Sequence, residues 1–228
     1  MLLKVEHVTK EFDKKDQIKK KGIYDISFQI KRGENYGIIG KSGAGKSTLA
    51  RVITGMERPN KGSVTFFGKE MQMIFQNPYS SVNPKMNMKQ IIEEPWVIRK
   101  IGTRKDRECK VQEMLRKVQL EETFTTRYPS ELSGGQLQRV VIARSLMLQP
   151  DLIVADEMTA SLDVMVRQKM IELLLQLKEE FKMSCIFISH DLQLVNHICD
   201  RVMVLEQGQC IEEKECKRYG INDISKTT

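Results

Sequence analysis

Gly40-Lys41-Ser42-Gly43-Ala44-Gly45-Lys46-Ser47-Thr48 has glycines, one lysine and two hydroxyls at the spacing that cradles a triphosphate. It stands between an apolar run, Tyr36 to Ile39, and a helix-like stretch, Leu49 to Thr54, the strand–loop–helix setting such a loop requires. Gly43 and Gly45 are predicted to take positive φ, so that successive N–H groups turn inward at the positive end of the next helix. Lys46 would then reach the β- and γ-phosphates, and Ser47 would place its hydroxyl on Mg²⁺. The competing reading, an ordinary glycine-rich turn, is disfavoured by the strand and helix on either side.

Two carboxylates, Asp156 and Glu157, follow the apolar run Leu152 to Ala155. In a parallel sheet wrapped by helices such residues emerge at strand C-termini, beside the phosphate loop. Asp156 is suited to hold Mg²⁺ through water, and Glu157 to orient or deprotonate an attacking water. Leu132-Ser133-Gly134-Gly135-Gln136 precedes a long helical pattern. Ser133 can cap that helix while Gly134 and Gly135 admit a second anion. A lone histidine is more often structural than catalytic, but His190 ends an expected strand at the same sheet edge as Asp156.

The elements that must position these groups change character along the chain. Leu3 to Val8, Ile23 to Ile30, Asn35 to Ile39, Ser63 to Phe67 and Met71 to Phe75 read as strands. From Met88 to about Val118 the pattern is helical and densely charged, expected to break at Pro95 and Gly102. Apolar runs at Leu152 to Ala155, Cys185 to Ile188 and Val202 to Leu205 then alternate with helices at Leu137 to Leu148, Val164 to Phe181 and Leu192 to Cys199. The expected architecture is a single α/β domain over 1–228, with a core of 1–76 and 146–213, a helical insertion of about 77–145, and a polar tail of 214–228.

At 228 residues the chain can bury a full core. No apolar stretch approaches the length of a membrane span, and the N-terminus runs into strand-like alternation rather than a signal peptide. Five cysteines without a Cys-x-x-Cys pair suggest reduced thiols and no zinc. The net charge of +7 arises partly from Lys10, Lys14, Lys15, Lys19, Lys20 and Lys21, and partly from Lys100, Arg104, Lys105 and Arg107. Such runs are most often solvated faces, next anionic-lipid contacts, and third nucleic-acid contacts.

From Leu2 to about Glu213 the chain resembles an ATP-binding-cassette (ABC) ATPase. Leu132 to Gln136 is similar to that family's signature, Asp151 to Glu157 to its magnesium-binding strand, and His190 to its switch histidine. Gln76, after Met73-Ile74-Phe75, is similar to the glutamine that links the nucleotide site to the helical subdomain. Ser161-Leu162-Asp163 is similar to the loop crossing the dimer interface. The resemblance implies a P-loop NTPase fold of the ABC-cassette type: a mixed sheet with an antiparallel β subdomain, a RecA-like parallel core and an inserted helical subdomain.

It implies ATP and Mg²⁺ as cofactors. Glu157, His190, Lys46 and Gln76 would be the catalytic set, with Ser47, Gln76 and Asp156 around the metal. Nucleotide would be bound by Gly40, Ser42, Gly43, Ala44, Gly45, Lys46, Ser47 and Thr48. Ser133, Gly134, Gly135 and Gln136 would act in trans, from the second cassette of a head-to-tail dimer. Adenine would stack on an aromatic upstream of the loop; Phe12 is the first choice and Tyr24 the second, with a strand-end core role as the alternative for Phe12.

Phe75 to Pro84, Tyr128 to Glu131 and Ile198 to Val202 are similar to peptide and nickel importer ATPases, and the Gly55 to Pro59 turn leans toward the nickel branch. The resemblance therefore implies membrane permease subunits as partners, a solute-binding protein indirectly, no nucleic acid, and a peripheral place on the cytoplasmic face of the membrane. Three departures stand out. The segment between Gly62 and Gln76 is short, Met158 replaces a common proline, and the chain stops soon after Cys210 without the cysteine cluster of many peptide-importer ATPases. An iron–sulfur cluster is accordingly not expected.

Overall fold

The computed structural model describes residues 1–12, 21–160 and 162–216. Lys14, Lys15, Lys19 and Lys20, Ser161, and the tail from 217 to 228 lie outside the described residues. In chain order the strands and helices are β1 Leu3–Phe12, β2 Lys21–Ile30, β3 Asn35–Ile39, α1 Lys46–Ile53, β4 Lys61–Phe66 and β5 Met71–Ile74. Then follow α2 Met88–Ile98, α3 Arg104–Lys117, α4 Gly134–Leu146, β6 Leu152–Asp156, α5 Val164–Phe181, β7 Ser184–Ser189, α6 Leu192–Ile198, β8 Arg201–Glu206 and β9 Gln209–Glu215. The chain divides into two compact units: one of Met1–Met71, Asp151–Glu157 and the residues from Met183 onward, the other of Gln72–Pro150 and Met158–Lys182. The helical unit thus takes in α5, which the sequence reading had placed with the core.

The first unit holds an antiparallel sheet in the order β2-β1-β4 and a second sheet containing the run β6-β7-β3-β8-β9. β6, β7, β3 and β8 are parallel to one another, and β9 is antiparallel to β8. Every residue of β3 and β6 is buried. Strands covered on both faces read as continuous apolar runs rather than alternations, which is why these segments do.

β3 also buries a polar group. The Tyr36 hydroxyl donates to Glu213 Oε1 on β9 at 2.6 Å, and Arg201 donates to the same oxygen at 2.5 Å. Arg201 also donates to the buried Glu34 carboxylate at 3.0 Å. Burial, then the hydrogen bond to Glu213, pushes the Tyr36 hydroxyl far above its ordinary pKa, so it remains a donor. Strand β9 was not foreseen: the sequence reading ended the core at 213 and began a polar tail at 214. Its signal was the two-residue turn Gln207-Gly208, both at positive φ, 48° and 82°, the geometry that favours a tight hairpin.

In the helical unit, α2 runs through Pro95 where the sequence reading expected a break. Proline removes one N–H, and here it does so at the start of the last turn, which closes with Arg99 N–H donating to Pro95 O at 3.2 Å. At the other end Asn87 and Gln90 form a capping box. Trp96 Nε1 donates to Met147 O at 2.6 Å, and Arg144 pairs with Glu94 at 2.6 Å, tying α2 to α4 and to the residue just beyond it. Lys117 of α3 pairs with Glu180 of α5. Among the described residues no helix is long and apolar enough to cross a membrane.

Candidate active site

The phosphate loop follows β3 directly, and Gly43 and Gly45 take φ of 80° and 103°, as the sequence predicts. Gly45 needs its missing side chain for space as well as conformation. A Cβ there would lie 2.7 Å from Ile23 Cγ2 and 3.2 Å from Gly22 O. The loop is further braced by Gly208 N–H donating to Ala44 O at 3.0 Å. Helix α1 begins at Lys46 with no side-chain cap, leaving its first N–H groups to an anion.

Lys46 is only 6% exposed. Its Nζ donates to Gly40 O at 2.8 Å and Lys41 O at 3.2 Å, and lies 3.3 Å from Glu157 Oε1. The ammonium is thus held inside the loop. Glu157 stands at the end of β6 in a left-handed conformation, φ 45°, and its N–H donates to Ile188 O at 3.0 Å. His190, one residue beyond β7, places Nδ1 3.8 Å from the same Glu157 oxygen and is exposed. Ser42 and Ser47 are exposed, and Thr48 is half-buried. The structure therefore gathers Lys46, Glu157 and His190 in one cluster.

Asp156 is buried, and its Oδ1 has no hydrogen-bond partner among the described residues. Its carboxyl is hydrogen-bonded by the Ser47 side chain. A buried carboxylate oxygen without a donor, next to a hydroxyl on the phosphate loop, fits a hard divalent cation such as Mg²⁺. Burial is the main cause that raises the Asp156 pKa, and the Glu157 charge adds to it, while Ser47, Lys46 and Arg51 oppose it.

Between its unfolded value near 3.8 and its raised folded value, Asp156 holds more protons folded than unfolded. The metal-free protein therefore gains stability as pH falls through that window, and the gain is complete below 3.8. Cation binding runs the other way, because it needs the carboxylate. The Mg²⁺-dependent part of the rise in Tm with ATP is expected to be present near neutral pH, to shrink as pH falls through the raised folded pKa of Asp156, and to be small throughout in Asp156→Asn. Thermal melts with ATP, with and without Mg²⁺, check this; a Mg²⁺ increment undiminished in Asp156→Asn removes Asp156 from the metal site.

Phe12 ends β1 and is 37% exposed, with Lys10 Nζ 5.4 Å from its ring centroid. It pairs with Lys21, next to the Gly22 that abuts Gly45. The Tyr24 ring packs on Gly208, and its buried hydroxyl has no partner among the described residues. In the helical unit, Ser133 caps α4 in a capping box with Gln136. A Cβ on Gly135 would stand 3.0 Å from Val166 Cγ1, so this glycine lets α4 pass close to α5. Gln76 is exposed just past β5, and Met158 is buried.

Residues 23–160 match the ABC transporter family. The chain belongs to this family. It is 44% identical over 217 residues to the dipeptide transport ATP-binding protein DppF of Haemophilus influenzae, covering 89% of this chain and 66% of that protein. It is 42% identical over 208 residues to the oligopeptide transport ATP-binding protein AppF of Bacillus subtilis, with 84% and 63% covered. Over 205 residues it is 38% identical to the nickel import ATP-binding protein NikE of Escherichia coli, with 82% and 76% covered. The chain thus spans about two thirds of the length of the peptide-transport relatives it matches.

Among solved structures, it superposes with TM-score 0.84 on a dimeric ATP-binding cassette in a post-hydrolysis state bound to ADP and Pi, at 28% identity over 96% of this chain and 100% of the other. It matches cbiO1 from Clostridium perfringens, part of the ABC transporter complex cbiONQ, with TM-score 0.81 and 25% identity over 99% and 91%. The ABC-cassette fold expected from the sequence is the fold of this protein.

Proposed function

We propose that this chain is the ATP-hydrolysing, energy-coupling subunit of an importer for di- or oligopeptides or a nickel-type metal chelate. It would act as a head-to-tail cassette dimer on membrane permease subunits at the cytoplasmic face. The observation that carries the reading is the Lys46, Glu157 and His190 cluster beside the buried Asp156 carboxyl.

The phosphates of ATP would lie on the loop N–H groups at the start of α1, with Lys46 turning its ammonium from its own carbonyls to the β- and γ-phosphates. Ser47 and Asp156 would hold Mg²⁺, which supplies charge neutralisation across those two phosphates. Glu157 takes the proton of the attacking water, and His190, within 3.8 Å of Glu157, orients the γ-phosphate and that carboxylate. Phe12, exposed at the β1 end next to the loop, would offer the adenine a ring face. Ser133, Gly134, Gly135 and Gln136 close the partner's nucleotide, and Gln76 conveys its state to the permease; both roles rest on the family resemblance.

Identity is higher to the dipeptide-transport relative than to the nickel one, 44% against 38%. That weighs toward peptides and against the nickel lean of the Gly55 to Pro59 turn. The test is to tag the chain in its own cell, extract membranes gently and identify what co-purifies. Permease subunits, a second cassette and a solute-binding protein are the expected recovery. Ribosomes or nucleic-acid proteins without a permease would overturn the transporter reading.

A further inference from the structure

The turn between α2 and α3 has a fixed shape and an unusual surface. α2 closes in a Schellman motif, with Ile101 N–H donating to Trp96 O at 2.8 Å and Lys100 N–H to Val97 O at 3.1 Å. Lys100 and Gly102 take φ of 56° and 64°, and α3 starts at once behind the Thr103–Asp106 capping box. This geometry leaves Val97, Ile98 and Ile101 49%, 71% and 38% exposed. Lys100, Arg104 and Lys105 beside them are exposed as well.

The acids nearby are already engaged. Asp106 accepts from the Thr103 N–H and hydroxyl, each at 2.8 Å. Glu108 is paired with Lys89 at 2.6 Å, and Glu93 faces Arg107 at 3.7 Å. The turn therefore keeps a positive field around an aliphatic tip.

We propose that this turn is a contact for an anionic membrane surface: Ile98 and its neighbours enter the headgroup–acyl boundary while the cations meet lipid phosphates. Long basic side chains can keep their heads among phosphates while their stems follow the apolar tip inward. An acidic groove on a protein would answer the charge, but a lipid boundary answers both the charge and an aliphatic tip that stands exposed at Val97, Ile98 and Ile101. The proposal rests on the transporter reading only for the presence of a membrane.

Trp96, the sole tryptophan of the chain, sits on the same last turn and serves as a local reporter. The full chain is mixed with vesicles of phosphatidylglycerol and phosphatidylcholine, or of phosphatidylcholine alone. The expected result is co-sedimentation and a change in Trp96 emission with the anionic vesicles only, reversed by salt, together with quenching by brominated acyl chains. Ile98→Asp should weaken partition about tenfold or more, and Lys100→Glu with Lys105→Glu about fivefold for each charge removed.

Lys61→Glu on β4 is the control for overall charge and should cost clearly less. Equal losses in Lys61→Glu, or no loss in Ile98→Asp, would reduce the effect to general basicity and overturn the proposal. Binding seen only with permease-containing vesicles would overturn it in favour of a protein contact. ATP turnover without lipid should be unchanged in all these variants; if wild type has none, the ATPase reading fails while the vesicle result stands separately.

Discussion

Glu157→Gln is expected to lower ATP turnover by about 10²- to 10⁴-fold, the range associated with loss of a general base, while leaving ATP binding intact. The amide preserves the size of the side chain but cannot take a proton from water. Lys46, 3.3 Å from Glu157 Oε1, would keep its bonds to Gly40 O and Lys41 O. The phosphate cradle should therefore survive the substitution. With hydrolysis blocked, the cassette should accumulate as an ATP-dependent dimer, visible by size-exclusion chromatography with light scattering and absent with ADP. Turnover within about twofold of wild type would remove Glu157 from the role of base.

Lys46→Ala should fail one step earlier. The ammonium is 6% exposed and is placed by two backbone carbonyls. Its proposed contacts to phosphate would be charge-assisted hydrogen bonds worth about 1.5–3 kcal/mol, so their loss should weaken nucleotide affinity roughly 10- to 100-fold. Turnover should fall further, because negative charge on the transferring group is poorly compensated in the transition state. Calorimetric titration separates the two losses from each other, and from Glu157→Gln, which retains binding. Nucleotide affinity within about twofold of wild type would show that the loop N–H groups alone hold the phosphates.

That Lys46, Glu157 and His190 would meet was legible in the sequence for a physical reason. Strand–loop–helix order confines Lys46 and Ser47 to the start of α1, and a parallel sheet delivers Asp156, Glu157 and His190 to the same strand ends. What was not legible depends on partners remote in the chain. β9 is entirely exposed and rich in Glu, so it carries no apolar alternation. It is a strand because β8 offers it a ladder and because Glu213 receives Tyr36 and Arg201.

Pro95 was misread because a proline's cost depends on where in the helix it falls, and one turn from the end it removes little. The grouping of α5 with the helical unit was equally hidden. It follows from packing such as Val166 against Gly135 and the pairing of Glu180 with Lys117, which no local pattern announces.

The left-handed backbone of Glu157 places a limit on what selection for robustness could do to this protein. Of the other left-handed non-glycine residues, Lys100, Gln119, Gln149 and Lys182 follow helices, Gln207 makes a hairpin turn, and His7 and Asp25 sit in β1 and β2, whereas Glu157 directly follows β6 and carries the carboxylate proposed as the base. Glycine would hold that conformation at about 1 kcal/mol less cost. A chain chosen for thermal endurance alone would drift toward glycine at 157 and become a sturdier protein without the carboxylate proposed to activate water. Consensus-style stabilisation of this cassette must therefore leave that position strained, and draw its gains from surfaces where the backbone has nothing to hold in readiness.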